Sequence, residues 1–201
     1  MNYLVHLYLS DPDPLCRLGN LMGDFVKGRL TQYDYPEKIM WGLRQHRAVD
    51  TLAMQHAAVR RSKVRLGNRF GHTKGILIDI FYDHLLSRNW QTWAHGTLRS
   101  FAAEGYKLLN LHRDQLPEAF RPVARRLVRY DWLTAYRKPK TIKFVLEKMA
   151  ARLSRPNLMA QGYEEFARCA EAMAVDCHEF LVDARNMLAH GASRDPENKL
   201  H

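Results

Sequence analysis

Ile76-Leu77-Ile78-Asp79-Ile80-Phe81-Tyr82-Asp83-His84-Leu85-Leu86 is a strongly apolar run interrupted by three ionisable side chains. Its length and composition predict a helix from about His72 to Trp90, with Asp79 and Asp83 four apart on one face. An ionised carboxylate is costly to bury unless a cation, a metal or several donors compensate, so acids inside so apolar a helix need a specific partner. The plain reading of either acid is a helix cap or a pair with an arginine from another helix. The other reading is a site.

Outward from this run, apolar residues recur at three and four positions through most of the chain, and the alternation of half-buried strands is scarce. An all-α, single-domain helical bundle is expected. Asp11-Pro12-Asp13-Pro14 starts a helix whose stripe is Leu15, Leu18, Leu21, Met22 and Phe25 and which stops near Gly28. Pro36 suits a first helical position, and Ile39, Met40, Leu43 and Val49 continue that helix. Gly67-Asn68 and Gly71 form a break. Further helices are expected over Gly96–Leu111, Pro117–Tyr136, Lys140–Leu153 and Pro156–His190. The domain is thus 1–190, followed by a polar, frayed tail over 191–201. Trp41, Met54, Trp90, Trp93 and Met149 read as core.

Three further stretches place ionisable groups among apolar ones. In Gln45-His46-Arg47-Ala48-Val49-Asp50, His46 and Asp50 lie one turn apart and can face one ion, with a nitrogen and an oxygen donor suited to Mn, Fe or Zn. An exposed His–Asp pair at this spacing is also common. Arg47 points elsewhere on the helix, within reach of a phosphate oxygen or a buried acid. Gly19-Asn20-Leu21-Met22-Gly23-Asp24-Phe25-Val26-Lys27-Gly28 flanks one acid with glycines, where another backbone or a substrate can approach closely. His6, in Leu4-Val5-His6-Leu7, is a hydrogen-bonded core residue or a ligand. Metal-assisted hydrolysis is the reaction class these residues suit.

The composition narrows the setting. With 46% hydrophobic and 26% charged residues, the 201-residue chain can bury a core without disulfides. Cys16, Cys169 and Cys177 are an odd set with no CxxC pair, so free thiols and a reducing compartment are expected. The N-terminal stretch is not a signal peptide, and no run approaches the roughly 20 apolar residues of a membrane span. A cytoplasmic protein with no membrane span is expected. The net charge of +10 points to an anionic partner without choosing among nucleic acid, lipid and an acidic protein.

Four motifs occur in one order: Met1-Asn2-Tyr3-Leu4-Val5-His6-Leu7, the GN-x-x-x-DF-V-x-G run from Gly19 to Gly28, HR-x-x-D from His46 to Asp50, and D-x-x-x-DH-x-L-S-R-x-W from Asp79 to Trp90. Together they resemble the acyl carrier protein phosphodiesterase family, strongly over residues 1–90 and more loosely through Trp132, Tyr136, Met149 and Arg152. The resemblance implies an HD-type helical phosphohydrolase fold. It implies hydrolysis of the phosphodiester joining 4′-phosphopantetheine to a serine of holo-acyl carrier protein, with Mn²⁺ as the usual metal and other divalent ions as substitutes. The adjacent His-Asp pair of HD proteins is absent, since Asp83-His84 reverses the order and His46 and Asp50 are spaced. On this reading Asp24, His46, Asp50 and Asp79 hold the metal. His6, Asp83 and His84 serve as further ligands or orient the ligands, and Asp24, His46, Arg47 and Asp79 carry the catalysis.

Acyl carrier proteins are acidic, which gives the positive charge a partner. Arg60, Arg61, Lys63 and Arg65 form one candidate docking run, and Arg121, Arg125, Arg126 and Arg129 another along one helix face, followed by Arg137, Lys138, Lys140 and Lys143. Each such run is more often simply a solvated face. Two other functions fit less well. One is an HD-type phosphohydrolase acting on a free nucleotide. The other is a nucleic-acid binder, which lacks any recognisable motif or aromatic interleaving, so no nucleic-acid partner is expected.

Overall fold

The computed structural model describes residues 1–192, and every described regular element is helical. In chain order these are α1 (Tyr3–Leu9), α2 (Pro14–Met22), α3 (Glu37–Gln55), α4 (Ala57–Arg65), α5 (Lys74–Arg88), α6 (Trp90–Trp93), α7 (Leu98–Leu111), α8 (Arg121–Arg129), α9 (Trp132–Ala135), α10 (Pro139–Ala150) and α11 (Gly162–Ala192). The all-α expectation holds. The helix α11 continues two residues past the expected end at His190, and the rest of the expected tail, 193–201, lies outside the described residues.

The apolar run that opens the sequence lies in α5, the central helix. Leu77, Ile78, Phe81, Tyr82 and Leu86 are fully buried, and α1, α4, α10 and α11 pack around them. Burying such side chains contributes about 1.5–3 kcal/mol each, which is why polar groups on this helix must be matched rather than merely tolerated. A second nucleus is the α2–α3 pair, the most extensive helix contact in the molecule. Gly19 and Gly42 make it possible: a Cβ on Gly19 would sit 2.2 Å from the Ile39 carbonyl oxygen, and one on Gly42 would sit 2.0 Å from that of Cys16. The glycine-flanked run is therefore a helix-crossing device.

Several element boundaries differ from the sequence expectation, each for a local reason. The N-terminal apolar stretch is a helix, α1, because the carboxylate of Asp83 on α5 accepts the N–H groups of Leu4 (3.0 Å) and Val5 (2.9 Å), which its own first turn leaves unpaired. His56 interrupts what reads as one helix, and its Nδ1 caps α4 by accepting from the Ala58 N–H at 3.3 Å. Pro117–Tyr136 divides into α8 and α9 at Asp131, whose φ of 47° is left-handed. Its carboxylate accepts from Tyr106 Oη at 2.8 Å and from the Thr134 hydroxyl, which holds that unusual backbone. Met54, expected in the core, is 67% exposed near the end of α3.

Candidate active site

The α2–α3 crossing places two histidines and three acids together. The Asn20 carbonyl oxygen at the end of α2 lies 2.8 Å from His46 Nδ1. A carbonyl only accepts, so Nδ1 carries the hydrogen and Nε2 is left to face the cluster. Gly23 makes room for that ring, since a Cβ there would lie 2.3 Å from His46 Cγ. The turn Gly23–Phe25 then sets Asp24 Oδ1 3.6 Å from His46 Nε2. From α1, His6 stacks on His46 with ring centroids 3.8 Å apart and planes 15° from parallel.

Both imidazoles address Asp50. His6 Nε2 is 3.2 Å from Oδ1 and His46 Nε2 is 3.3 Å from Oδ2. The α-ammonium of Met1 lies 2.7 Å from Asp50 Oδ1 and 3.5 Å from Asp79 Oδ1, so Asp79 joins the cluster from α5. The histidines are buried, whereas Asp24, Asp50 and Asp79 keep 52%, 36% and 38% of their side chains exposed. The group is an imidazole floor with a carboxylate rim open to solvent.

The charges are strongly polarised. Burial pushes the His6 imidazole down to about 4 against the pull of Asp50, so it is neutral, and neither ring nitrogen makes a well-directed hydrogen bond. Burial also disfavours the His46 imidazolium, but Asp24 and Asp50 outweigh it and raise the group to about 9. Asp50 is held far below the usual carboxylate range by His46 and His6 in spite of burial, and Asp24 is lowered by His46. Burial raises Asp79. His6, His46 and Asp50 each offer one ligand atom within 4.8 Å of one another. Two neutral-capable imidazole nitrogens and a carboxylate converging on one point, with more acids at the rim, suit a divalent cation of mixed nitrogen and oxygen preference.

A family model described as acyl carrier protein phosphodiesterase matches residues 1–184. The chain belongs to that family. It is similar to the acyl carrier protein phosphodiesterase of Pectobacterium atrosepticum, with 34% identity covering 80% of this chain and 82% of that one. The protein of the same name from Photorhabdus laumondii is 32% identical over 82% of this chain and 83% of its own. That from an Enterobacter species is 28% identical over 92% and 98%. No solved structure matches the chain, so the HD-type likeness stays an expectation.

Within this family member, the remaining candidates sit outside the imidazole floor. Asp83 spends both oxygens on the α1 backbone, and burial pushes it up to about 7 despite those bonds. His84 donates from Nδ1 to the Tyr136 carbonyl at 2.6 Å, and its ring lies against Phe166 and Tyr163. Arg47 donates to the Val26 carbonyl at 2.9 Å, two residues beyond Asp24. Asn20 and Gly23 fix the His46 ring. The glycine run marked Gly23 for a close approach, but nothing in the sequence pattern marked the Asn20 carbonyl, because a backbone acceptor leaves no trace in residue type.

The two basic runs differ. On α4, Arg61 Nε reaches Asp176 Oδ1 and Arg65 Nε reaches Asp176 Oδ2, each at 2.9 Å, and Arg61 also pairs with Glu179. On α8, Arg121 donates to the Leu116 and Asp114 carbonyls and Arg126 to that of Pro122, while Arg129 lies over the Tyr130 ring. Arg61 and Arg65 of α4 are matched within the fold, whereas among the described residues no carboxylate lies within 4.0 Å of Arg60 or Lys63. Among the described residues, no helix is long and apolar enough to cross a membrane.

Proposed function

We propose that the protein hydrolyses the phosphodiester linking 4′-phosphopantetheine to a serine of holo-acyl carrier protein, releasing apo-carrier protein and 4′-phosphopantetheine. The family membership supports the substrate, and the convergence of His6, His46 and Asp50 within 4.8 Å supports where the chemistry occurs. His6 Nε2, His46 Nε2 and Asp50 would hold one divalent ion, Mn²⁺ first, with Asp24 and Asp79 offering further carboxylates from the rim. Such an ion supplies an activated water at neutral pH and offsets charge on the phosphoryl oxygens.

The chain's own groups do the rest. The Asn20 carbonyl keeps one hydrogen on His46 Nδ1, so Nε2, which faces Asp24 and Asp50, is the nitrogen that would give up its proton to take a metal. Asp83 holds α1, and with it His6, against α5. Asp24, at the most open edge, is placed to take or return the proton of the attacking water and of the serine leaving oxygen. Arg47 pins the carbonyl of Val26 and so steadies the turn that carries Asp24; contact with a phosphate oxygen needs that bond to break. The free thiols of Cys16, Cys169 and Cys177 support a cytoplasmic setting. No observation favours a free nucleotide over the carrier protein.

Incubating holo-carrier protein with enzyme and Mn²⁺, with and without chelator, tests this by intact mass. Loss of the phosphopantetheinyl mass in the metal arm alone is expected. An unchanged mass under every divalent metal would refute the function.

A further inference from the structure

Given the carrier-protein substrate proposed above, the unequal state of the two basic runs decides where that substrate lands. We propose that an acidic face of the carrier docks on the outer face of α8, along Arg121, Arg125 and Arg129, and that α4 takes no part.

The inner side of α8 is anchored by Ala124 and Leu127, both buried, which leaves Arg121, Arg125, Arg126 and Arg129 exposed. Residues four apart share a helix face, so Arg121, Arg125 and Arg129 line up. Among the described residues, none of these guanidinium groups lies within 4.0 Å of a carboxylate; Arg121 and Arg126 donate to main-chain carbonyls, and Arg129 lies over the Tyr130 ring. Their positive charge is therefore uncompensated inside the fold. On α4, by contrast, Asp176 and Glu179 already neutralise Arg61 and Arg65.

Position points the same way. Phe120, the residue just before α8, packs on Phe25 with ring centroids 4.8 Å apart and on Tyr3 at 6.2 Å. Phe25 adjoins Asp24 in the same short turn. One aromatic layer thus joins the first turn of α8 to the carboxylate rim. A cationic helix beside that rim steers an acidic carrier toward the cluster.

The test compares two charge reversals, R125E/R129E on α8 and R60E/K63E on α4. Arg61 and Arg65 are left alone because they hold Asp176, and Arg121 because it caps the turn before α8. Fluorescence anisotropy with labelled holo-carrier protein reads docking whether or not turnover occurs. Kinetics use holo-carrier protein and, as a probe without an acidic face, a short phosphopantetheinyl-serine peptide that lacks acidic side chains. R125E/R129E is expected to weaken carrier binding and raise KM by about tenfold or more, to flatten their salt dependence, and to leave peptide turnover unchanged. R60E/K63E should stay within about twofold throughout. Carrier binding unchanged in R125E/R129E, or weakened equally in R60E/K63E, overturns the docking site. Carrier bound through α8 but never cleaved by the wild type leaves the docking site standing and overturns the hydrolase reading instead.

Discussion

Asp50 and Asp176 are both acids set among cations, and they differ in what they leave unsatisfied. Asp176 is 1% exposed, and it accepts from Arg61, Arg65 and Ser62 at 2.9, 2.9 and 3.1 Å. Those donors are permanently charged or neutral hydroxyl groups in fixed positions, so nothing further is required there. Asp50 is 36% exposed and faces two imidazoles and an ammonium, with Asp24 and Asp79 nearby. Its partners exchange protons or bind metals, and its open side admits a ligand. Deep burial with fixed donors marks Asp176 as structural, and a partly open carboxylate among titratable partners is what the proposed site at Asp50 rests on.

The sharpest separation of the two comes from isosteric amides. Asp50→Asn should lower turnover of holo-carrier protein by about a thousandfold or more, because it removes the carboxylate shared by both histidines. Its melting temperature should fall as well, because the Asp50 charge is held by His46, His6 and the Met1 ammonium, so turnover is what separates the two variants. Asp176→Asn should leave kcat within about threefold yet cost roughly 1–2 kcal/mol of stability, a modest figure because its guanidinium partners remain open to water. Steady-state kinetics and thermal melts on both variants would show it; an Asp176→Asn enzyme as inactive as Asp50→Asn would dissolve the contrast.

Two glycines sharpen it further. A methyl at Gly23 meets the buried His46 ring, so Gly23→Ala should cut turnover by about 10- to 100-fold by tilting that ring, at a cost of about 1–3 kcal/mol in stability. At Gly42 the obstacle is the Cys16 backbone oxygen, which cannot swing aside. Gly42→Ala should cost about 1–3 kcal/mol or more in denaturant unfolding, with activity falling only as far as the α2–α3 crossing shifts.

The smallest effect is in acid. Hydrogen bonds from Arg65, Arg61 and Ser62 hold Asp176 below the ordinary carboxylate value despite desolvation. A lowered folded-state value contributes stability above the unfolded value of about 3.9 and loses it as pH falls below that point. The melting-temperature gap between wild type and Asp176→Asn should be steady from about pH 5 to 8 and close below about pH 4. A gap still fully open at pH 3 would show that the charge of Asp176 contributes nothing.

Much of this was legible in residue order. The apolar run from Ile76 marks the central helix, and His46 and Asp50 one turn apart mark the floor of the site. The glycines at 19 and 23 mark a close approach. Asp79 and Asp83 look alike in sequence, yet one turns to the cluster and the other caps α1, a helix too short and too early to show a period. Arg61 and Arg65 read as part of a docking run because their acid, Asp176, lies more than a hundred residues away, and no local pattern carries pairing over that distance. His6 reads first as a core residue until its ring is seen stacked on His46 with Nε2 turned toward Asp50.

The central claim is that the His6, His46 and Asp50 convergence binds a divalent ion. Titrating chelator-treated protein with Mn²⁺ and following the free-ion signal by electron paramagnetic resonance reads this without any turnover. Wild type and Asp176→Asn should each remove one equivalent of Mn²⁺ from solution, and Asp50→Asn should remove none at the same concentrations. Equal uptake by Asp50→Asn and wild type would contradict the assignment.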